Sequence, residues 1–142
     1  MASVKLLRVE RDGFGMYRNM ADHNHSLWLD CGLDDSGSDR HPSPHDDFRI
    51  TSFWFRQKGE ECPFAFGSPQ QFLQWVYDPE WRYKMQELGG ELWVYEIEFG
   101  GCAIGEKQAI FNINSVLSKR AFPITSFDDP VLRPIIEEYL QS

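Results

Sequence analysis

Residues 68–99 read SPQQFLQWVYDPEWRYKMQELGGELWVYEIEF, and this stretch decides the fold. Ser68 is placed as an N-cap, Pro69 at the first helical position and Gln71 at the third, which together make a capping box. The Ser68 oxygen accepts orphan backbone N–H groups while Gln71 reaches back to the cap. The spacing predicts a helix from Pro69 to about Tyr77, with Phe72, Leu73 and Val76 as its apolar stripe and Trp75 beside it. Asp78-Pro79 opens a second helix in the same way. Trp81, Met85 and Leu88 face one way, and Gly89-Gly90 ends it. From Glu91 to Phe99 the period changes to two. Trp93, Tyr95, Ile97 and Phe99 share one face of a strand, Leu92 and Val94 the other.

Working outward, residues 3–10 read as a first strand, with Val4, Leu6 and Arg8 on one face and Lys5, Leu7 and Val9 on the other. Asp12-Gly13-Phe14-Gly15 indicates a sharp turn. Residues 19–47 are polar and irregular, and the stretch 34–44 is dense in Asp, Ser, Gly and Pro, which predicts a long loop. Residues 48–56, FRITSFWFR, have strand-like composition. A short strand is expected over Gln108–Ile113 and a short helix near Ser115–Lys119. A C-terminal helix is expected from Pro130, capped by Asp128 or Asp129, burying Val131, Leu132, Ile135, Ile136 and Tyr139. This order predicts one α+β domain over residues 1–142, with a small mixed or antiparallel sheet and three to four helices.

The chain has 142 residues, enough for one core. Aromatic residues make up 15%, so that core is ring-rich. The net charge is −8 and the pI about 4.9. An acidic surface repels phosphate backbones, so direct nucleic-acid binding is not expected, whereas a basic protein partner is suited. The three cysteines contain no C-x-x-C pair, which points to free thiols in a reducing compartment. No charged-then-apolar leader opens the sequence and no apolar run is long enough to span a membrane, so the cytoplasm is the expected location.

Three constellations could carry chemistry. Asp22-His23-Asn24-His25 and His41-Pro42-Ser43-Pro44-His45-Asp46-Asp47 hold metal-ligand residue types, but without the tight repeated spacing of a structural zinc site, and no metal is expected. No segment reads as a nucleophile elbow. The third set is discontinuous: Arg8, Tyr17, Arg18, Ser68 and the run Gly105-Glu106-Lys107-Gln108. Polar residues at strand ends can line a cleft, and an arginine fork can hold a diphosphate. The alternative is that Arg8 lies along the surface, Ser68 only caps a helix, and Glu106 and Lys107 are turn charges.

The segments LLRVE, GFGMYR, RHPSPHDD, FAFGSPQQFLQWV, ELWVYEIE and GEKQAIFN resemble, in order and spacing, a group of small phage and prophage proteins. The layout is also similar to the ADP-ribosyltransferase-like fold. That resemblance implies NAD as cofactor, Glu106 and Gln108 in the catalytic position, and Arg8, Tyr17, Arg18 and Ser68 holding the cofactor. The sequence departs from that pattern: Ser68 is followed by Pro-Gln-Gln rather than Thr-Ser, and Glu-Lys-Gln lacks a second carboxylate. The resemblance to phage proteins implies a host-directed effector acting on a bacterial protein. It could transfer ADP-ribose from NAD. Alternatively it binds without catalysis, as anti-CRISPR inhibitors do, occluding a host defence or nucleic-acid-processing protein through Asp34, Asp35, Asp46 and Asp47.

Overall fold

The computed structural model describes residues 2–17, 26–32 and 47–142. Among them are seven strands and five α-helices in a single α+β domain. The strands are β1 (Ser3–Arg11), β2 (Phe14–Gly15), β3 (Phe64–Ala65), β4 (Glu91–Glu98), β5 (Cys102–Ile104), β6 (Ala109–Phe111) and β7 (Val116–Phe122). The helices are α1 (Leu27–Asp30), α2 (Phe48–Arg56), α3 (Pro69–Trp75), α4 (Pro79–Glu87) and α5 (Leu132–Gln141). Two antiparallel sheets form, ordered β2-β1-β4-β7 and β3-β6-β5.

β1 joins the sheets. Its outer edge pairs with β2 at Glu10 and Arg11 and with Phe66 at Leu7, where the two backbone hydrogen bonds are 2.9 and 2.6 Å. The β1–β2 turn uses Asp12 and Gly13, both at positive φ (55° and 84°), the tight hairpin turn an Asp-Gly pair favours. The alternation expected for β1 and β4 holds. Leu7, Val9, Leu92 and Val94 enter the larger core with Phe72, Trp75, Met85 and Ile136, while Leu6, Tyr95 and Ile97 pack on Ala65, Ala109 and Phe111 of the small sheet. Phe99 lies past the strand end and is exposed.

Both central helices start as expected. Ser68 Oγ accepts from Gln71 N at 3.2 Å, and Asp78 caps Glu80 N at 2.9 Å. Gln71 reaches back one residue further than the cap, its Oε1 accepting from Gly67 N at 2.8 Å. On α4, Met85 is fully buried and Arg82 is buried, bonded to Asp128 and the Val76 carbonyl, whereas Leu88, the residue after its end, is exposed.

Three expectations are corrected. Residues 48–56 form helix α2, not a strand. Period two would mix Ile50, Ser52, Trp54 and Arg56 on one face. Helical spacing instead buries Ile50 and Phe53 together against Ile110, and Asp47 caps Arg49 N at 2.9 Å. Second, Val116–Phe122 is strand β7, not a helix near Ser115–Lys119. It pairs with β4 from Leu92↔Phe122 to Ile97↔Val116, with an irregularity at Glu96/Ile97 that leaves Leu117 exposed. Third, α5 begins at Leu132, with Asp129 Oδ1 accepting from Val131 N (2.8 Å) and Leu132 N (3.2 Å). Asp128 is bonded to Arg82 instead, and Val131 and Ile135 stay exposed while Ile136 is buried.

Candidate functional site

The described members of the set singled out from sequence divide among three places. The first is the junction of α3 with the β5–β6 turn. Gln71 Nε2 donates to the Gly105 and Glu106 carbonyls at 2.8 and 3.3 Å, so the capping glutamine ties helix to turn. Asp47 reaches the same turn from the start of α2. Its Oδ1 accepts from Arg49 N and its Oδ2 from Glu106 N, each at 2.9 Å. The approach needs glycine at 105, because a Cβ there would collide with the Asp47 carboxylate. Beside this junction lies a cavity of about 160 Å³, lined by Gln71, Gln74, Trp75 and Lys107. Tyr17 stands behind its Trp75 wall, accepting from Trp75 Nε1 at 2.6 Å. The Glu106 side chain is exposed, whereas Gln108 is buried.

Arg8 belongs to the second place, the face of β1 toward the small sheet. Its Nε donates to Glu10 Oε2 at 2.8 Å and its Nη1 to the Phe64 carbonyl at 2.6 Å. Tyr95 donates its hydroxyl to the same Glu10 oxygen. Strand alternation puts Arg8 and Glu10 on one face; only the β1–β4 register, Leu6↔Tyr95, brings the tyrosine beside them. Glu10 is buried, so its charge is balanced by the arginine and the hydroxyl rather than by water.

Ser68 lines a separate groove of about 500 Å³ together with Lys5, Leu7, Leu73, Phe127 and Arg133. Its cations are engaged: Lys5 donates to the Tyr139 and Ser142 carbonyls at 2.8 and 2.5 Å, and Arg133 pairs with Glu137 at 2.6 Å. Arg18, Asp34, Asp35, Asp46 and all four histidines lie outside the described residues. Among the described residues no three His, Cys, Asp or Glu side chains gather as metal ligands, and no helix is long and apolar enough to cross a membrane.

The described residues expected to hold NAD are not gathered in one cleft. Pockets for drug-sized ligands run to about 300–1,000 Å³; the cavity beside Lys107 is smaller, and the groove at Ser68 reaches that size without Arg8, Tyr17, Glu106 or Gln108 in its lining. The arginine expected on the diphosphate is turned to Glu10 and Phe64. Nor is a cysteine nucleophile favoured: burial, first among the causes, pushes the Cys31, Cys62 and Cys102 thiols up, away from the reactive thiolate.

The Glu10 cluster gives a pH signature. Burial, then the hydrogen bond to Glu10 and its negative charge, raise the Tyr95 hydroxyl above its ordinary value of 10.0, while Arg8 opposes them. The native state holds this phenol neutral, and the unfolded chain ionises it near its ordinary value. The stabilisation is therefore complete below about pH 10 and is lost as pH rises toward the raised native value. Urea unfolding should show wild type losing more stability than Tyr95→Phe between about pH 9 and about pH 11. Equal losses would mean that the cluster does not hold the phenol neutral.

A family model described as Bacteriophage T4 Y00F protein matches residues 2–125. No curated protein and no solved structure matches the chain.

Proposed function

We propose that this chain, which belongs to the bacteriophage T4 Y00F protein family, is a phage effector that binds and occludes a host protein without catalysis. The observation that supports this reading is how the polar set is spent. Arg8 is bonded to Glu10 and Phe64, Ser68 to its own helix, and the turn bearing Glu106 to Gln71 and Asp47. These bonds build the fold, and a side chain held by such bonds gains nothing by turning to a cofactor unless the replacement is at least as good. The chain's charge of −8 favours a host protein over nucleic acid as partner. The acidic version of this reading used four aspartates. Of these, Asp47 has both carboxylate oxygens engaged within the fold.

The test is a thermal-shift titration with NAD. A ligand present at about 100 times its dissociation constant adds roughly 2.7 kcal/mol to the native state, which moves the midpoint by several degrees. The expected result is an unchanged midpoint at millimolar NAD. A shift of several degrees that disappears in the surface variant Glu106→Ala/Lys107→Ala would restore the transferase reading.

A further inference from the structure

Helix α2 presents two apolar faces. One, Ile50 and Phe53, is buried against Ile110, and Trp54 meets Phe64 edge-on with ring centroids 6.2 Å apart. The other is open: Phe48 is 84% exposed and Phe55 81%. These two residues lie seven apart, two helical turns, and so stand at nearly the same azimuth. Thr51 and Ser52 lie between them, small enough to leave both rings proud along a ridge of about 10 Å. Arg49 and Arg56, also seven apart, run along one flank, and Lys58 follows. No acidic residue occurs within Phe48–Arg56, in a chain whose net charge is −8.

A single exposed ring is ordinary on a protein surface. A ridge of two phenylalanines flanked by two arginines, on an otherwise acidic molecule, is a different arrangement. Aromatic residues and arginine are the side chains enriched at interface centres. The ridge is also rigid. Asp47 fixes the helix start to the β5–β6 turn through Glu106 N, and Thr51 Oγ1 donates to the Asp47 carbonyl at 3.0 Å. A partner therefore loses little entropy in ordering it.

We propose that the Phe48–Phe55 ridge docks into an apolar groove with an acidic rim on the host protein. The inference rests on the host-binding reading above. Charge complementarity selects the rim: carboxylates would meet Arg49, Arg56 and Lys58. Dimension selects a groove. A helix of nine residues is about 13.5 Å long. Laid flat against a second copy it buries far less than the roughly 800 Å² per partner of a stable interface, and the copy's own ridge offers arginines rather than an acidic rim. A groove encloses the ridge from both sides, the usual way a short amphipathic helix is bound.

The experiment captures bacterial host proteins on the tagged full-length chain, then purifies the captured protein and measures its affinity. Variants are Phe48→Ser/Phe55→Ser and Arg49→Glu/Arg56→Glu, with Tyr83→Ser as an exposed control. All are surface changes, and thermal midpoints close to wild type would establish that they fold. The expected partner carries carboxylates around its groove, and the contact with Arg49 and Arg56 makes affinity fall with salt. The serine variant should weaken binding roughly 30-fold or more and the charge reversal roughly 10-fold, and the control should leave it intact. Binding retained by both variants overturns the ridge while leaving the host-binding reading in place. No specific capture by wild type overturns both. A concentration-dependent dimer in sedimentation, or binding to phosphatidylglycerol vesicles, that is lost in the serine variant overturns the groove in favour of a second copy or a lipid surface.

Discussion

Glu10→Ala is expected to lower the free energy of unfolding by about 3–5 kcal/mol, the range for breaking a buried ion pair by removing one partner. The Glu10 side chain is 7% exposed and the Arg8 side chain 17%. Removing the carboxylate strands the guanidinium on the inner face of β1, with only the Phe64 carbonyl left to it, and takes the acceptor from the Tyr95 hydroxyl. Tyr95→Phe should cost less, about 1–2 kcal/mol, because the carboxylate keeps its arginine. Urea unfolding monitored by tryptophan fluorescence reads both changes. In a double-mutant cycle, Arg8→Ala and Glu10→Ala together should cost less than the sum of the singles. Additive costs, or a Glu10→Ala cost below about 1 kcal/mol, would show that Arg8 does not depend on this pair and would reopen its assignment to a ligand.

Phe72→Ala should destabilise by a similar amount, about 3–5 kcal/mol for a fully buried phenylalanine. Its ring is inaccessible to solvent and lies 5.8 Å from the Phe66 ring and 6.1 Å from that of Phe127. It thereby ties α3 both to the segment bridging the two sheets and to the 3-10 segment Ile124–Asp128. Truncation leaves a cavity lined by rigid rings, which collapse poorly into it, so the cost should sit in the upper part of that range. The same unfolding curves test this. A loss below about 2 kcal/mol would mean that the neighbouring aromatics repack. Leu88→Ala, just past the end of α4, is a useful contrast, since Leu88 is 38% exposed.

The candidate site was legible in the sequence to the extent that its parts carry local signals. Ser68 and Gln71 declare themselves by the capping box, and Gly105 by its place in a turn. Neither the reach of Gln71 across to Gly105 nor that of Asp47 to Glu106 has a local signature, since the partners are 34 and 59 residues apart. Arg8 was legible as a charged residue on a strand face. That it faces Glu10 follows from alternation; that Tyr95 completes the cluster depends on strand register. The exposed ridge of α2 was hidden because FRITSFWFR has the composition of a strand.

The sequence by itself determined β1, the Asp12-Gly13 turn, α3, α4 and β4. Each is set by interactions within a few residues, whether a cap oxygen, a glycine able to take positive φ, or apolar side chains at a single clear period. The tertiary structure alone decided α2 and β7. In α2, β-rich composition yields to burial of Ile50 and Phe53 on one helical face against Ile110. In β7, a weak local preference yields to the hydrogen-bonding edge of β4, whose unpaired backbone groups recruit Val116–Phe122. Where local preference is worth only tenths of a kcal/mol per residue, long-range burial and backbone pairing decide the outcome.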